Sequence, residues 1–452
     1  MRVLHVIHDF LPRHQAGSEI YAYELCRQLA ALGIEVHVLC AEYDPTRAHG
    51  SLAWRWHDGL PVTELINNWS FASFAETYSS PALTAQIEHV INAVQPDVVH
   101  IHNLLNLSFE LPAVARARGI PSVATLHEYV LLCPSGGQRV HLAEEHVCFD
   151  IEPERCARCF ASSPFYSQMV FGSLSQGGRG VGRIAAALRR RFPALVSRAG
   201  RVAAAHVPRT EITVDDIRGR LAAAREVFDT VDLFVAPSPA LGAELERFGL
   251  PASKLRVSDY GFVPLPKVAR APGRDRLRVG FVGTLVWHKG VHVLVEALSR
   301  LPRDSYQAMI FGSLDTFPDY TAELEQRIAE LPIELRGGFD RARVAEVYAE
   351  MDMLIVSSLW PENSPLVIHE AFMAGVPVIG SRLGGTVDLI EDGVSGLLYE
   401  PFSAADLAAK LKRLLDEPGL LERLATALPP VKTIADDAAE WVRVYEELHT
   451  PS

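Results

Sequence analysis

A short apolar run, VLHVIH, passes through a glycine-containing loop into IYAYELCRQLAALG, whose apolar positions recur at helical spacing and stop at Gly33. The unit returns at IEVHVLC (34–40), VVHIH (98–102), SVATLH (122–127) and LFVAPS (233–238), with helical stretches between. Nearly continuous apolar strands need cover on both faces, so this alternation implies a parallel sheet wrapped by helices. After YGFVPLPKVARAPGRDR the pattern starts again at LRVGFVGTL and continues through AMIFG, IELRG, MLIVSS, VPVIGS and SGLLY. The restart at Arg278 echoes the start at Arg2, and the Pro-, Gly- and Arg-rich segment places a boundary near residues 262–275. The expected architecture is α/β, two doubly wound domains in tandem, for which 452 residues with 48% hydrophobic content suffice. Open parallel sheets bind ligands at the carboxyl ends of their strands, so two facing domains would hold one ligand between them.

The formal net charge of -12 argues against non-specific nucleic-acid binding, and nucleic acid is not an expected partner. No apolar run is long enough to cross a bilayer, and MRVLHVIHDFLPRHQAGSE lacks a cleavable apolar core, so the expectation is a soluble, cytoplasmic chain.

The most informative stretch is WPENSPLVIHEAFMAGVPVIGS. After the strand MLIVSS, Ser364 is placed to cap a helix beginning at Pro365, and Gly375 and Pro377 end it. The free amides of that helix would face the cleft as an anion site. Glu362 precedes the helix, and Glu370 lies inside it on the face of Leu366. Two glutamates at this spacing are common as ordinary surface groups. Two further features fall at the same strand ends: GTLVWHKG, with Lys289 available to pair with phosphate, and GGTVDL, where paired glycines let backbone approach a ligand.

Together, the Gly-containing loop after the first strand, PDVVHIH, TLH, YG before the linker, GTLVWHKG, ENSPLVIHE and GGTVDLIEDGVSGLLYEP resemble, in this order and over nearly the whole chain, the retaining glycosyltransferases of family 4, which have GT-B architecture. The resemblance implies an acceptor-side Rossmann-like domain at 1–262, a nucleotide-sugar domain at 263–434, and a terminal helix at 435–452 that packs back on the first domain. It implies transfer, with retention, from a nucleoside diphosphate sugar to a hydroxyl acceptor that is a sugar, a polysaccharide or a lipid-linked group. Glu370 would hydrogen-bond the ribose, Lys289 would contact the diphosphate, and backbone around Asn363, Ser364, Pro365 and Leu366 would face sugar or phosphate. Glu362 would sit by the transferred sugar and stabilise positive charge in the transition state. Gly283, Thr284, Gly384 and Gly385 would line the donor. Thr284 stands where the family often has arginine, which puts more of the leaving-group charge on Lys289. Gly17, in Ala16-Gly17-Ser18, matches a Gly-Gly loop with alanine first.

His127 matches a histidine that faces the donor sugar, although a histidine at a strand end is often structural. His100 and His102 alternate along a strand and are expected on opposite faces, unable to share a metal. The resemblance implies front-face transfer in which the leaving diphosphate helps deprotonate the acceptor, so no cofactor or divalent cation is required for the chemistry. A sugar-nucleotide epimerase of similar architecture and a catalytically degenerate binding homologue remain the alternatives.

An irregular insertion spans about 133–228. Cys156-Ala157-Arg158-Cys159 with Cys133 and Cys148 could form a structural zinc site, and free thiols are equally open. The segment 179–201 is rich in arginine without an acidic residue, which suits peripheral contact with the inner face of a membrane or a solvated surface on the first domain.

Overall fold

The computed structural model describes residues 1–175, 211–268 and 276–450; the Arg-rich segment 179–201 lies outside them. The strands are β1 (Arg2–Ile7), β2 (Glu35–Glu42), β3 (Leu52–His57), β4 (Leu60–Ile66), β5 (Val98–Ile101), β6 (Ser122–Thr125), β7 (Val140–His141), β8 (His146–Val147), β9 (Leu233–Ala236), β10 (Leu255–Val257), β11 (Leu277–Val282), β12 (Tyr306–Phe311), β13 (Ile333–Gly337), β14 (Met353–Val356), β15 (Val378–Ser381) and β16 (Gly396–Tyr399). They form an eight-stranded sheet in the order β10-β9-β6-β5-β1-β2-β4-β3, a six-stranded sheet in the order β13-β12-β11-β14-β15-β16, and the small ribbon β7-β8.

Strand order reverses at β1 in one sheet and at β11 in the other, which puts a crevice beside the carboxyl end of each. One anchoring device recurs in both halves. The amide of Arg2 donates to Asp97 Oδ2 (2.7 Å), the residue before β5, and the amide of Arg278 donates to Asp352 Oδ2 (2.9 Å), the residue before β14. Each pair ties the first strand of its sheet to the neighbour across the crevice.

The first sheet is not wholly parallel: β3 pairs antiparallel with β4 and forms its edge. Asp58 and Gly59, both at positive φ (45° and 81°), make the two-residue turn, a dipeptide that signals a hairpin in sequence alone. The expectation that His100 and His102 lie on opposite faces is also corrected. Residues two apart along a strand share a face, so His100 and His102 come to the same side, and the two rings stack with centroids 4.2 Å apart.

The terminal helix Ile434–His449 lies against the helix Gly17–Ala31 of the first sheet, and Trp441, Val444 and Tyr445 share a buried core with Val3, Ile7 and Leu25. Trp441 Nε1 donates to Tyr21 OH (3.0 Å), which in turn donates to Asp437 Oδ2 (2.9 Å). None of the helices described is long and apolar enough to cross a membrane.

Candidate functional site

The loops leaving β11 and β14 carry the charged groups of the second domain. Gly290, at φ +69°, lets the first loop lie against the end of β14, because a Cβ there would stand 2.0 Å from the Ser357 carbonyl oxygen. The preceding residue, Lys289, is thereby aimed at Glu362. Three donors converge on Glu362 Oε1: Lys289 Nζ at 2.5 Å, Ser358 Oγ at 2.5 Å and Trp360 Nε1 at 3.1 Å. Glu362 is 8% exposed, and the Lys289 ammonium also lies 5.5 Å from the centre of the Trp360 ring. Neighbouring His288 is pushed down to about 4 by burial and by the Lys289 charge, so it is neutral near pH 7.

The next helix spans Leu366–Met373, and Pro365 is its N-cap. Ser364 therefore does not cap it: its hydroxyl donates to Asp259 Oδ1 (2.8 Å) and meets His369 Nε2 (2.9 Å), linking the helix to the segment that joins the two halves. The first amides of this helix have no intrahelical acceptor. Glu370 is buried. Its Oε2 accepts from Tyr348 OH (2.9 Å) and its Oε1 pairs with Arg341 (2.9 Å), whose side chain is half exposed. Burial, reinforced by the Glu370 charge, raises the Tyr348 phenol well above its ordinary value, so it remains a donor. Tyr348 and Arg341 carried no motif that marked them in the sequence.

The paired glycines have a different job from the one expected. A Cβ on Gly384 would stand 2.4 Å from the Glu362 carbonyl oxygen, and one on Gly385 1.8 Å from that of Asn363. Gly385 N also donates to Glu362 O (2.7 Å). They therefore let the two loops pack on each other and fix the backbone on either side of Glu362. Gly283 follows β11, its amide donating to Phe311 O (3.0 Å), and Thr284 is exposed beside it.

The facing wall comes from the first sheet. Asn363 Nδ2 donates to the His127 carbonyl, and Gly17 sits so close to Leu366 that a Cβ would lie 2.8 Å from Leu366 Cδ1. The two halves thus touch directly at the site. His127 Nδ1 meets Tyr260 OH (2.9 Å), His127 Nε2 meets His102 Nδ1 (3.1 Å), and His102 Nε2 meets His5 Nδ1 (3.0 Å). Both ring nitrogens of His127 are therefore engaged inside the first domain. Burial lowers His5 and His127 to about 3 and depresses His100 and His102 strongly, so this row of imidazoles is uncharged. The sequence reading passed over Glu128 in TLHEY. Burial raises its carboxyl, with the charges of His8 and Lys289 acting against that rise and the charge of Glu19 adding to it.

The four cysteines of the insertion line one pocket, with Cys156 and Cys159 on the helix Pro153–Ser162. No three of their sulfurs all lie within 4.8 Å of one another. Thiolates around zinc stand roughly 3.8 Å apart for a Zn–S bond of about 2.3 Å. As placed, the four thiols do not fit a zinc ion, and burial raises Cys148 to about 11 and Cys156 and Cys159 to about 12.

Two family models match the chain: Glycosyltransferase Family 4 over residues 16–164 and Glycosyl transferases group 1 over residues 268–428. The fold is that of solved GT-B enzymes with two Rossmann-like domains. Anabaena Alr3699/HepE in complex with UDP and glucose aligns with a TM-score of 0.62 at 17% identity, covering 99% of both chains. The 2-deoxystreptamine glucosyltransferase of Streptomyces kanamyceticus is 29% identical over 219 residues, 46% of this chain and 50% of that relative. The alpha-D-kanosaminyltransferase of the same organism is 28% identical over 159 residues, 35% of this chain and 41% of that relative. The matches thus span half or less of these curated relatives. The chain belongs to the family 4, group 1 glycosyltransferases.

Proposed function

We propose that the chain transfers a sugar, with retention of configuration, from a nucleoside diphosphate sugar to a hydroxyl acceptor. The observation that carries this reading is the convergence of Lys289, Ser358 and Trp360 on one oxygen of Glu362, at the switch point of the second sheet and against the first-domain wall. A carboxylate fixed before the reaction needs no reorganisation when positive charge develops on the transferred sugar, which is the condition for electrostatic stabilisation. Lys289 and the open amides of the helix at Leu366 would offset the diphosphate charge, so this step needs no metal ion or other cofactor. Glu370 would exchange its half-exposed partner Arg341 for the ribose hydroxyls. Gly283 and Thr284 would line the donor, with main chain at Asn363, Ser364, Pro365 and Leu366 facing sugar or phosphate.

His127, with both nitrogens occupied, would act as a neutral wall beside the donor. Gly17 would carry the acceptor-side loop up to the donor, while Gly384 and Gly385 act through the backbone of Glu362 and Asn363. A basic 179–201 segment would suit a lipid-linked acceptor at an anionic surface. The test incubates the purified chain with uridine, guanosine and adenosine diphosphate sugars and candidate acceptors, measuring nucleoside diphosphate release and the anomeric coupling of the product by NMR. One donor consumed with retained configuration is expected. Inversion, or donor isomerised without acceptor, would contradict the reading.

A further inference from the structure

Two clusters of potential metal-ligating side chains stand out among the described residues, and hydrogen bonding separates them. In the first, His5, His100 and His102 bring their ring nitrogens within 4.8 Å of one another. All but one of their ring nitrogens are already used: His5 Nδ1 bonds His102, His102 also bonds His127, and His100 bonds both Tyr445 OH (2.6 Å) and Thr125 Oγ1 (2.7 Å), which leaves only His5 Nε2 without a partner. Binding a metal there would break a chain of buried hydrogen bonds.

The second cluster is His8 and Asp9, just after β1, with Glu19 in the first turn of the helix Gly17–Ala31. His8 is 8% exposed, and its Nδ1 is buried without a partner. Its Nε2 nevertheless points into the cluster, 3.3 Å from Glu19 Oε1 and 3.9 Å from Asp9 Oδ2. His14 Nδ1 approaches Asp9 Oδ2 at 3.7 Å from the other side. Glu19 is only 3% exposed, and its other oxygen accepts from Ser18 Oγ at 3.1 Å. Arg13, on the same loop, is committed to Glu42 and Glu64.

We propose that His8, Asp9 and Glu19 bind one divalent transition-metal ion on the first-domain wall of the cleft. Nitrogen and carboxylate ligands about 2.1 Å from a metal stand roughly 3.4 Å apart in a tetrahedron and roughly 3.0 Å apart in an octahedron. The His8–Glu19 edge of 3.3 Å already has this spacing, and a small side-chain rotation closes the His8–Asp9 edge of 3.9 Å. A mixed imidazole and carboxylate set suits zinc, cobalt, manganese or iron. The ion supplies a positive charge for a buried carboxylate and takes the lone pair of His8 Nε2, leaving the imidazole proton on Nδ1.

The cluster lies at the cleft. Gly17, two residues before Glu19, meets Leu366 of the opposite domain. Coordination positions left open by these side chains take water or an acceptor oxygen. The ion is thus an acceptor-side feature, separate from the Lys289 and helix contribution to the diphosphate.

The test uses the full chain, stripped with a chelator and titrated with Co²⁺ and then Zn²⁺ in the absence of sugar nucleotide, so its outcome is independent of the transferase assay. One equivalent of Co²⁺ is expected, with visible ligand-field bands and no thiolate charge-transfer band in the near ultraviolet. His8→Ala and Asp9→Asn should each weaken binding by more than about tenfold, while Cys156→Ser and His102→Gln leave it unchanged. Asp9→Asn changes a single atom type at a partly exposed site, so it decides the matter if His8→Ala does not fold. Absence of Co²⁺ binding in the parent chain would overturn the proposal. So would full affinity in His8→Ala and Asp9→Asn, or binding lost in Cys156→Ser or His102→Gln.

Discussion

The two walls of the cleft are built on opposite electrostatic plans. In the second domain both glutamates of the Glu-x7-Glu element are paired: Glu362 with Lys289 and two neutral donors, Glu370 with Arg341 and the Tyr348 hydroxyl. In the first domain the corresponding wall is a row of imidazoles that burial keeps neutral, with the acidic groups Glu128, Asp9 and Glu19 set beside it. Paired charge held in place before the ligand arrives suits a ligand that carries a diphosphate and develops charge during reaction. A neutral wall suits hydroxyl groups, which need hydrogen bonds and close packing more than counter-ions. One scaffold, repeated with the same Arg–Asp anchor, therefore provides two chemically distinct surfaces.

The contrast is most exposed at Lys289. Lys289→Ala should lower nucleoside diphosphate release by about 10²- to 10³-fold, the usual cost of losing a preorganised electrostatic contact, chiefly in kcat. Steady-state kinetics with the donor found by screening checks this. Glu370→Ala should act on binding instead, raising the donor Kd by roughly 10- to 100-fold through loss of charged hydrogen bonds worth about 1.5–3 kcal/mol, as calorimetry would show.

The neutral wall predicts a pH signature. His127 has a folded pKa of about 3 against an ordinary value of 6.5. The unfolded chain therefore takes up a proton that the folded chain refuses, and stability rises with pH up to about 6.5. It is complete above that value and is lost progressively as the pH falls toward 3. At pH 5 His127 alone should cost about 2 kcal/mol relative to pH 7.5, and denaturant unfolding of the parent chain and His127→Gln should differ in slope over that range.

The smallest effect is expected where the walls touch. Gly17→Ala pushes only against the end of the flexible Leu366 side chain and should lower the unfolding free energy by less than about 1 kcal/mol. Gly385→Ala runs into the Asn363 backbone and should destabilise by more, a ranking that thermal melts of the two variants would test.

Much of this was visible in the sequence because it depends on short-range pattern. Apolar runs alternating with helical periodicity gave the two sheets, and Glu362, Glu370 and Lys289 stood in contiguous motifs at strand ends. What escaped depends on long-range packing. The partners of Glu370 come from Tyr348 and Arg341, 22 and 29 positions upstream, and no local spacing couples them to it. Ser364 looked like a cap by position, but Asp259, 105 residues earlier, claims its hydroxyl. The glycine pair at Gly384 looked like a ligand contact because sequence shows only that backbone is exposed to approach, not which neighbour approaches. The opposite-face expectation for His100 and His102 failed because residues two apart along a strand share a face. The β3–β4 hairpin, by contrast, was available from Asp58-Gly59.

The most direct measurement compares donor Kd and single-turnover nucleoside diphosphate release for the parent chain and Glu362→Gln. If the fixed carboxylate stabilises the transferred sugar in the transition state, the variant should bind donor with little change and release it about 10²-fold or more slowly. Release at the parental rate, or a loss confined to Kd, would contradict the role assigned to Glu362.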